Sequence, residues 1–291
     1  MTRYGCVDSQ KAAGFPVSAA CEVVEVSASG YYGWCQRRDA GPSKRQLADD
    51  ELIDLIRGLH ADSDGTYGEP RITIALRKAG IVVNPKKLRR LMRKAGIVGR
   101  YTPPKRRTTI AGPDHVVIPD LVGRNYAPGA ADVAWVQDIT YIATRQGWLY
   151  LAAVIDLGSR RAIGYSMAHH MRDELVIDAL HMAVSARGRY MAGTIAHADQ
   201  GSQYTSYDYL DYCHAHGLRP SAGSVGDCFD NAVAESFWAT LKRECVNGQI
   251  FNTRAEARSI VFQWINRYNH RRIHTTLGGL TPTEWEQQQA A

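Results

Sequence analysis

From Ala134 the stretch AWVQDITYIA mixes Trp, Val, Ile, Thr and Tyr and ends at the turn signal RQG, which predicts a β-strand. LYLAAVI (149–155) is short and apolar throughout, the pattern of a strand buried on both faces. After a turn over residues 156–161, AIGYSMA (162–168) completes a three-stranded meander. Leu175, Val176, Ala179, Leu180 and Ala183 recur at helical spacing within 172–187. TIAH (194–197) reads as a short strand, and the run carrying Tyr204, Tyr207, Tyr209, Leu210 and Tyr212 reads as a helix. LRPSA (218–222) is a further short strand. Val233, Phe237, Trp238 and Leu241 then form the apolar face of a helix that Asp230 can cap. The order is β-β-β-α-β-α-β-α.

The flanks predict helices only. Val17–Arg38 reads as two short helices broken near Val26–Ser29, with Ser18 as one cap and Ser27 or Ser29 as the other. Leu47–His60 is amphipathic, and Arg71–Ala79 is stopped by Gly80. A third helix opens with Asn84 as cap and Pro85 in its first turn, and ends at Gly96. GTYGEP, from Gly65, is a loop. At the other end, Thr253 and Glu256 form a capping box ahead of the stripe Ala257, Ile260, Val261, Trp264, Ile265 and Tyr268.

With 291 residues and 45% hydrophobic composition, the chain can bury one good core and smaller modules. It has no apolar run of about 18 residues, so no membrane span is expected. Residues 1–16 lack the apolar segment of a secretory signal. The six cysteines form no CxxC pair and predict reduced thiols in the cytosol. His214 with His216, and His270 with His274, lack a third ligand of the right kind and read as structural.

Charge divides the chain. Residues 1–110 hold 20 Lys and Arg against 11 Asp and Glu, and residues 111–291 hold 15 against 18. A basic front half and a mildly acidic rear half suggest a DNA-gripping module joined to a metal-dependent one. From Lys86 to Arg107 there are ten basic residues and no acid: Lys86, Lys87, Arg89, Arg90, Arg93, Lys94, Arg100, Lys105, Arg106 and Arg107. Beside a helix–turn–helix outline this run points to phosphate binding, although a solvated basic face has the same composition. Arg271 and Arg272 in HRRIH form a second basic cluster, a candidate for DNA contact that a plain solvent-facing surface would match equally.

Three carboxylates carry the candidate chemistry. Asp138 lies within a strand, Asp199 falls just past a strand's carboxyl end, and Glu235 lies on a helix with Lys242 two turns on. Each has a plain structural reading: an ion-paired strand residue, a turn former, an exposed helix surface. Together they supply hard oxygen ligands from two strands and a helix, which suit a pair of divalent metal ions acting in phosphoryl transfer.

WVQDITY, HADQGSQYTS and GDCFDNAVAES, with 35 residues between Asp199 and Glu235, resemble the catalytic domain of DDE transposases. More narrowly, the chain is similar to the second-frame product of the IS-three group of bacterial insertion sequences, relatives of retroviral integrases. The likeness continues through GTYGEPRI and RYNHRRIHTTLGGLTP, and so covers nearly the whole chain. It implies an α/β fold, a ribonuclease-H-like mixed sheet preceded by an all-helical region containing a helix–turn–helix. The corresponding domains are a helical segment (1–44), a basic DNA-binding domain (45–110), a linker (111–127), an integrase catalytic core (128–246) and a helical extension (247–291).

The resemblance also implies that Asp138, Asp199 and Glu235 bind two Mg²⁺ ions, with Mn²⁺ able to substitute, and that Lys242 contacts DNA near the scissile phosphate. The implied partners are element ends and target DNA, further copies of the chain, and an upstream-frame product that is often fused to it. Gln200 departs from the Arg or Lys expected at its position. Two rival readings are a ribonuclease-H-like nuclease that cuts without joining, and a non-enzymatic DNA-binding regulator.

Overall fold

The computed structural model describes residues 2–100, 118–123, 125, 128–188, 190–223 and 232–290. Lys105, Arg106 and Arg107, the Asp230 cap, and the first six residues of GDCFDNAVAES lie outside the described residues. The chain divides into two compact units, Met1–Asp62 with Val83–Val98 and Ser63–Val82 with Gly99–Ala291.

The first unit is helical. Its members are α1 (Arg3–Ala12), α2 (Val17–Val23), α3 (Ala28–Asp39), α4 (Lys44–Asp62) and α6 (Pro85–Lys94), while α5 (Glu69–Lys78) belongs to the second unit. The first helix has no counterpart among the elements expected from the sequence. Ser27 caps α3, donated to by the Gly30 N–H, whereas α2 has Pro16 at its cap position and no side-chain cap. Asn84 caps α6 as expected, accepting from the Lys86 N–H at 2.8 Å. Buried Asp49 on α4 lies 2.8 Å from Lys87 and 2.7 Å from Arg90 on α6. Lys87 first, and then Arg90, pulls the Asp49 pKa down to about 2.

The second unit is built on a five-stranded sheet. Its strands are β1 (Ala134–Thr144), β2 (Gly147–Asp156), β3 (Ala162–Ala168), β4 (Ile195–Ala198) and β5 (Arg219–Ala222), in the spatial order β3-β2-β1-β4-β5. The meander is antiparallel, and β4 and β5 join parallel to β1. Period-two alternation sends Ala134, Val136 and Ile142 of β1 and Leu149, Leu151, Ala153 and Ile155 of β2 to one core. Trp135, Ala152 and Val154 go to the other. This double burial is what the unbroken apolar run of β2 predicts.

Helices cover both faces. α7 (Asp173–Arg187) and α8 (Tyr207–Ala215) contribute to the core containing Trp135. α9 (Ala232–Leu241) and α10 (Arg254–His270) contribute to the core containing Val136. Thr253 caps α10 as expected, but the Glu256 side chain accepts from the Asn252 N–H, so only half of the capping box forms. A complete box instead opens α11 (Pro282–Gln289), between Thr281 and Glu284.

The GTYGEP loop and α5 dock on the segment after α10. Tyr67 donates its hydroxyl to the Arg271 carbonyl and accepts from the Ile273 N–H, and Arg71 Nε donates to the Ile273 carbonyl. These bonds place α5 in the sheet-containing unit.

His274, in that segment, is buried. Burial, then the charges of Arg272, Arg71 and Arg160, drives its pKa to about 2 from the ordinary 6.5. Between those two values the unfolded chain binds a proton that the folded chain refuses, so stability falls as pH falls below 6.5. Urea unfolding of the wild type is expected to lose about 2 kcal/mol between pH 7 and pH 5 through this group. His274→Gln should remove that part of the slope; equal slopes would refute the assignment.

Candidate active site

Asp138 is half-buried in β1. Its Oδ1 accepts from the Ile139 N–H at 2.7 Å and its Oδ2 from the Trp238 indole N–H at 2.9 Å. Trp238 lies three residues beyond Glu235 on α9, about one helical turn away. The donor to Asp138 and the third carboxylate therefore share one side of that helix. Its apolar spacing made Trp238 read as core alone; it is core and also a polar anchor.

Asp199 follows β4 directly. Val136 of β1 pairs with His197 of β4, and the parallel register carried two residues further sets Asp138 level with Asp199. Asp199 is exposed, and its Oδ1 accepts from the Gly201 N–H at 3.1 Å, a turn-forming bond. Glu235 is exposed on the first turn of α9. These elements converge without closing into a tight cluster. Among the described residues, no three His, Cys, Asp or Glu side chains are gathered closely enough to hold a metal ion.

Lys242 opens a five-residue π-helical segment, Lys242–Val246, at the end of α9. Its ammonium lies 5.5 Å from the centre of the Tyr141 ring of β1. Gln200 donates to the Gly223 carbonyl at 3.1 Å and so joins the ends of β4 and β5.

Tyr204 sits in the turn after Asp199, not in a helix as the sequence predicts; α8 begins at Tyr207, with Ser206 accepting from the Tyr209 N–H. The intervening Ser206 cap delays the helix. The Tyr204 ring is buried edge-on to Tyr209, and its hydroxyl has no hydrogen-bond partner among the described residues. Burial first, then the charges of Asp138 and Asp199, raises its pKa well above 10.0, so it keeps its proton. A buried donor facing the field of two carboxylates has no signature in composition or spacing. Only the fold reveals it.

The basic residues expected on DNA fall into three groups. Lys87, Arg90 and Lys94 are exposed but form ion pairs with Asp49 and Asp50 of α4. Lys86, Arg89 and Arg93 are exposed on α6. Arg271 is exposed, while Arg272 is buried and donates through Nε and Nη2 to Glu244, with its closest contact at 3.0 Å. The expectation of a solvent-facing Arg271–Arg272 pair is thus corrected at Arg272, which turns inward because buried Glu244 requires a cation.

A family model described as an integrase core domain matches residues 129–228, and a second of the same description matches residues 216–282. An HTH-like domain model matches residues 48–106. The transposase InsF for insertion sequence IS3A of Escherichia coli (strain K12) is 38% identical over 280 residues, covering 96% of either chain. The chain belongs to the IS3 family of transposases. This IS3-family chain is also 38% identical over 268 residues to the insertion element IS600 uncharacterized 31 kDa protein of Shigella sonnei, covering 92% of this chain and 97% of that one. Against the HTLV-2 integrase catalytic core domain solved with magnesium, identity is 15% and the TM-score 0.41, over 53% of this chain and 96% of that one.

Two substitutions around the carboxylates of this IS3-family transposase should move stability in opposite directions. Trp238→Phe leaves Asp138 without its indole donor and should cost about 1–2 kcal/mol. Tyr204→Phe keeps the ring and removes an unsatisfied buried hydroxyl, and should gain about 1 kcal/mol. Chemical denaturation of both variants checks the signs; a destabilised Tyr204→Phe would reveal an existing partner for the hydroxyl.

Proposed function

We propose that this chain cuts DNA at the ends of an insertion sequence and joins the freed ends to target DNA. Asp138, Asp199 and Glu235 supply the carboxylates, and Lys242 lies against DNA near the scissile phosphate. The observation that carries this reading is the hydrogen bond from Trp238 to Asp138, which ties the helix bearing Glu235 to the strand beside Asp199.

The donor set fits hard divalent cations. Carboxylate oxygens on separate elements, with hydrogen bonds already orienting Asp138 and Asp199, match Mg²⁺ or Mn²⁺ better than softer metals. Two such ions, when bound, lower the barrier by activating the attacking oxygen and neutralising charge on the leaving oxygen. Asp138, Asp199 and Glu235 would hold them, and Trp238 keeps Asp138 aimed.

In the first step water attacks the phosphorus at the element end; the bond from phosphorus to the 3′-oxygen breaks and a 3′-hydroxyl is released. In the second step that hydroxyl attacks a target phosphodiester in line. One phosphorus–oxygen bond forms as another breaks, so no energy source or covalent protein intermediate is needed.

The basic region within 45–110 is read as the grip on DNA, with Lys86, Lys87, Arg89, Arg90, Arg93 and Lys94 of α6 as its proposed phosphate contacts. Lys105, Arg106, Arg107 and Arg271 are proposed as additional contacts. Bringing two element ends and a target together calls for more than one copy of the chain, and an upstream-frame product is a proposed partner or fusion.

Supercoiled plasmid carrying the element ends, incubated with Mg²⁺ or Mn²⁺, tests the reading. Wild type should give nicked and joined products, and Asp199→Asn should lower both by about a thousandfold or more, as expected for loss of a key electrostatic group. Equal activity in the variant would overturn the role of Asp199, and nicking without joining would favour a simple nuclease.

A further inference from the structure

The hairpin that joins β1 to β2 carries two large aromatic rings that the core leaves half uncovered. Tyr141 is 50% exposed and Trp148 is 49% exposed. In the antiparallel register Tyr141 faces Tyr150 and Trp148 faces Ala143, so the two rings meet diagonally on one face of the sheet. Their centres lie 4.9 Å apart with the planes at 77°, an edge-to-face contact. Ile139 and Tyr150, on the same face, pack against the core containing Trp135. That face thus runs from the core out to a solvent-facing aromatic end.

The backbone beneath the pair is held firmly. Thr144 donates its hydroxyl to the Gly147 carbonyl at 2.6 Å, and Gly147 turns the chain at a φ of +98°. Arg254 of α10 donates through Nε to the Trp148 carbonyl and through its backbone N–H to the Gln146 side chain, each at 3.0 Å. A surface fixed in this way loses little freedom when a ligand lies on it.

Its setting is cationic. The ammonium of Lys242 lies 5.5 Å from the centre of the Tyr141 ring. Arg145 is exposed in the turn, and no residue from 139 to 155 is acidic. Asp138 lies three residues before Tyr141, about 10 Å along the strand. That is about three nucleotides at the axial rise of duplex DNA, and fewer for an extended strand.

A cross-strand aromatic pair stiffens a hairpin without any ligand. That role uses the contact between the rings and gives no reason for half of each to stay uncovered beside a cation and near a candidate catalytic carboxylate. A flat apolar surface with positive charge alongside fits a flat ligand that carries its own negative charge. A nucleobase on its phosphodiester chain has that form once it is unpaired; inside a duplex it offers only its edges.

We propose that Trp148, braced by Tyr141, stacks on an unpaired base of the DNA strand whose phosphate lies against Lys242. The proposal rests on the reading of the chain as a DNA-joining enzyme and deepens it, because it makes the substrate strand locally unpaired beside the reacting phosphate. Every base has a π face, so the platform selects unpaired structure and not sequence.

The test is binding by the full chain in EDTA, read as fluorescence anisotropy of two labelled duplexes of equal length. One is fully paired, and the other has its last few pairs mismatched. Wild type should hold the frayed duplex about tenfold more tightly. Trp148→Leu keeps apolar bulk without a π face, and should lose that preference while holding the paired duplex as wild type does. Trp148→Phe should retain most of it. Stacking carries no charge, so the slope of log affinity against log salt should be the same in all three proteins. A further readout needs no variant: 2-aminopurine placed in the mismatched segment should be quenched when wild type binds, because the base stacks on the indole.

Equal affinity of wild type for the two duplexes, or 2-aminopurine that stays bright on binding, would overturn the proposal whatever the variants do. So would a Trp148→Leu chain that keeps the preference, or one that weakens equally on both duplexes with a shallower salt slope, since the ring would then act only by placing Lys242. Binding in EDTA requires no catalysis. A chain that prefers the frayed duplex but joins no strands would sink the functional reading and leave the platform standing. A chain that joins strands without the preference would sink the platform alone.

Discussion

The double burial of β1 and β2 is the constraint on which the catalytic unit depends. A strand with apolar side chains on both faces must be covered on both, and the two cores meet that need with α7 and α8 on one side and α9 and α10 on the other. Phe237 and Leu241 bring α9 onto the sheet, and Trp238 adds a hydrogen bond to Asp138 at the edge of the same contact. Packing that exists to exclude water therefore also sets where Glu235 begins. Glu235, on an exposed turn, acquires a fixed position because its helix is held by its other face.

Electrostatics is organised on a second level. Buried acids in this chain are matched locally: Asp49 by Lys87 and Arg90, Glu244 by Arg272. Asp156 is instead held by backbone N–H groups, with burial raising its pKa. At the candidate site Asp138 is likewise held by hydrogen-bond donors, the Ile139 N–H and the Trp238 indole N–H.

Most element identities were legible because hydrophobic period reports burial directly: the alternating and continuous runs of β1 and β2, the inward stripe of α7, and the Asn84–Pro85 start of α6 all lie where the pattern puts them. Local competition accounts for the misses. Ser206 captures the Tyr209 N–H and starts α8 three residues after Tyr204, and Glu256 bonds to Asn252 instead of closing the box on Thr253. Arg272 looked like the exposed neighbour of Arg271, because sequence carries no record of a buried acid 28 residues away.

By itself, the sequence determined the strand and helix types, the division into a basic front and an acidic rear, and the family, since order and spacing of short motifs survive without coordinates. Tertiary structure alone decided which side chains meet. The parallel register beside Asp199, the indole of Trp238 on Asp138 and the buried hydroxyl of Tyr204 join residues 5 to 100 positions apart. Such contacts arise from packing several elements against a common sheet, and one-dimensional periodicity reports which face of an element is buried but not what it is buried against.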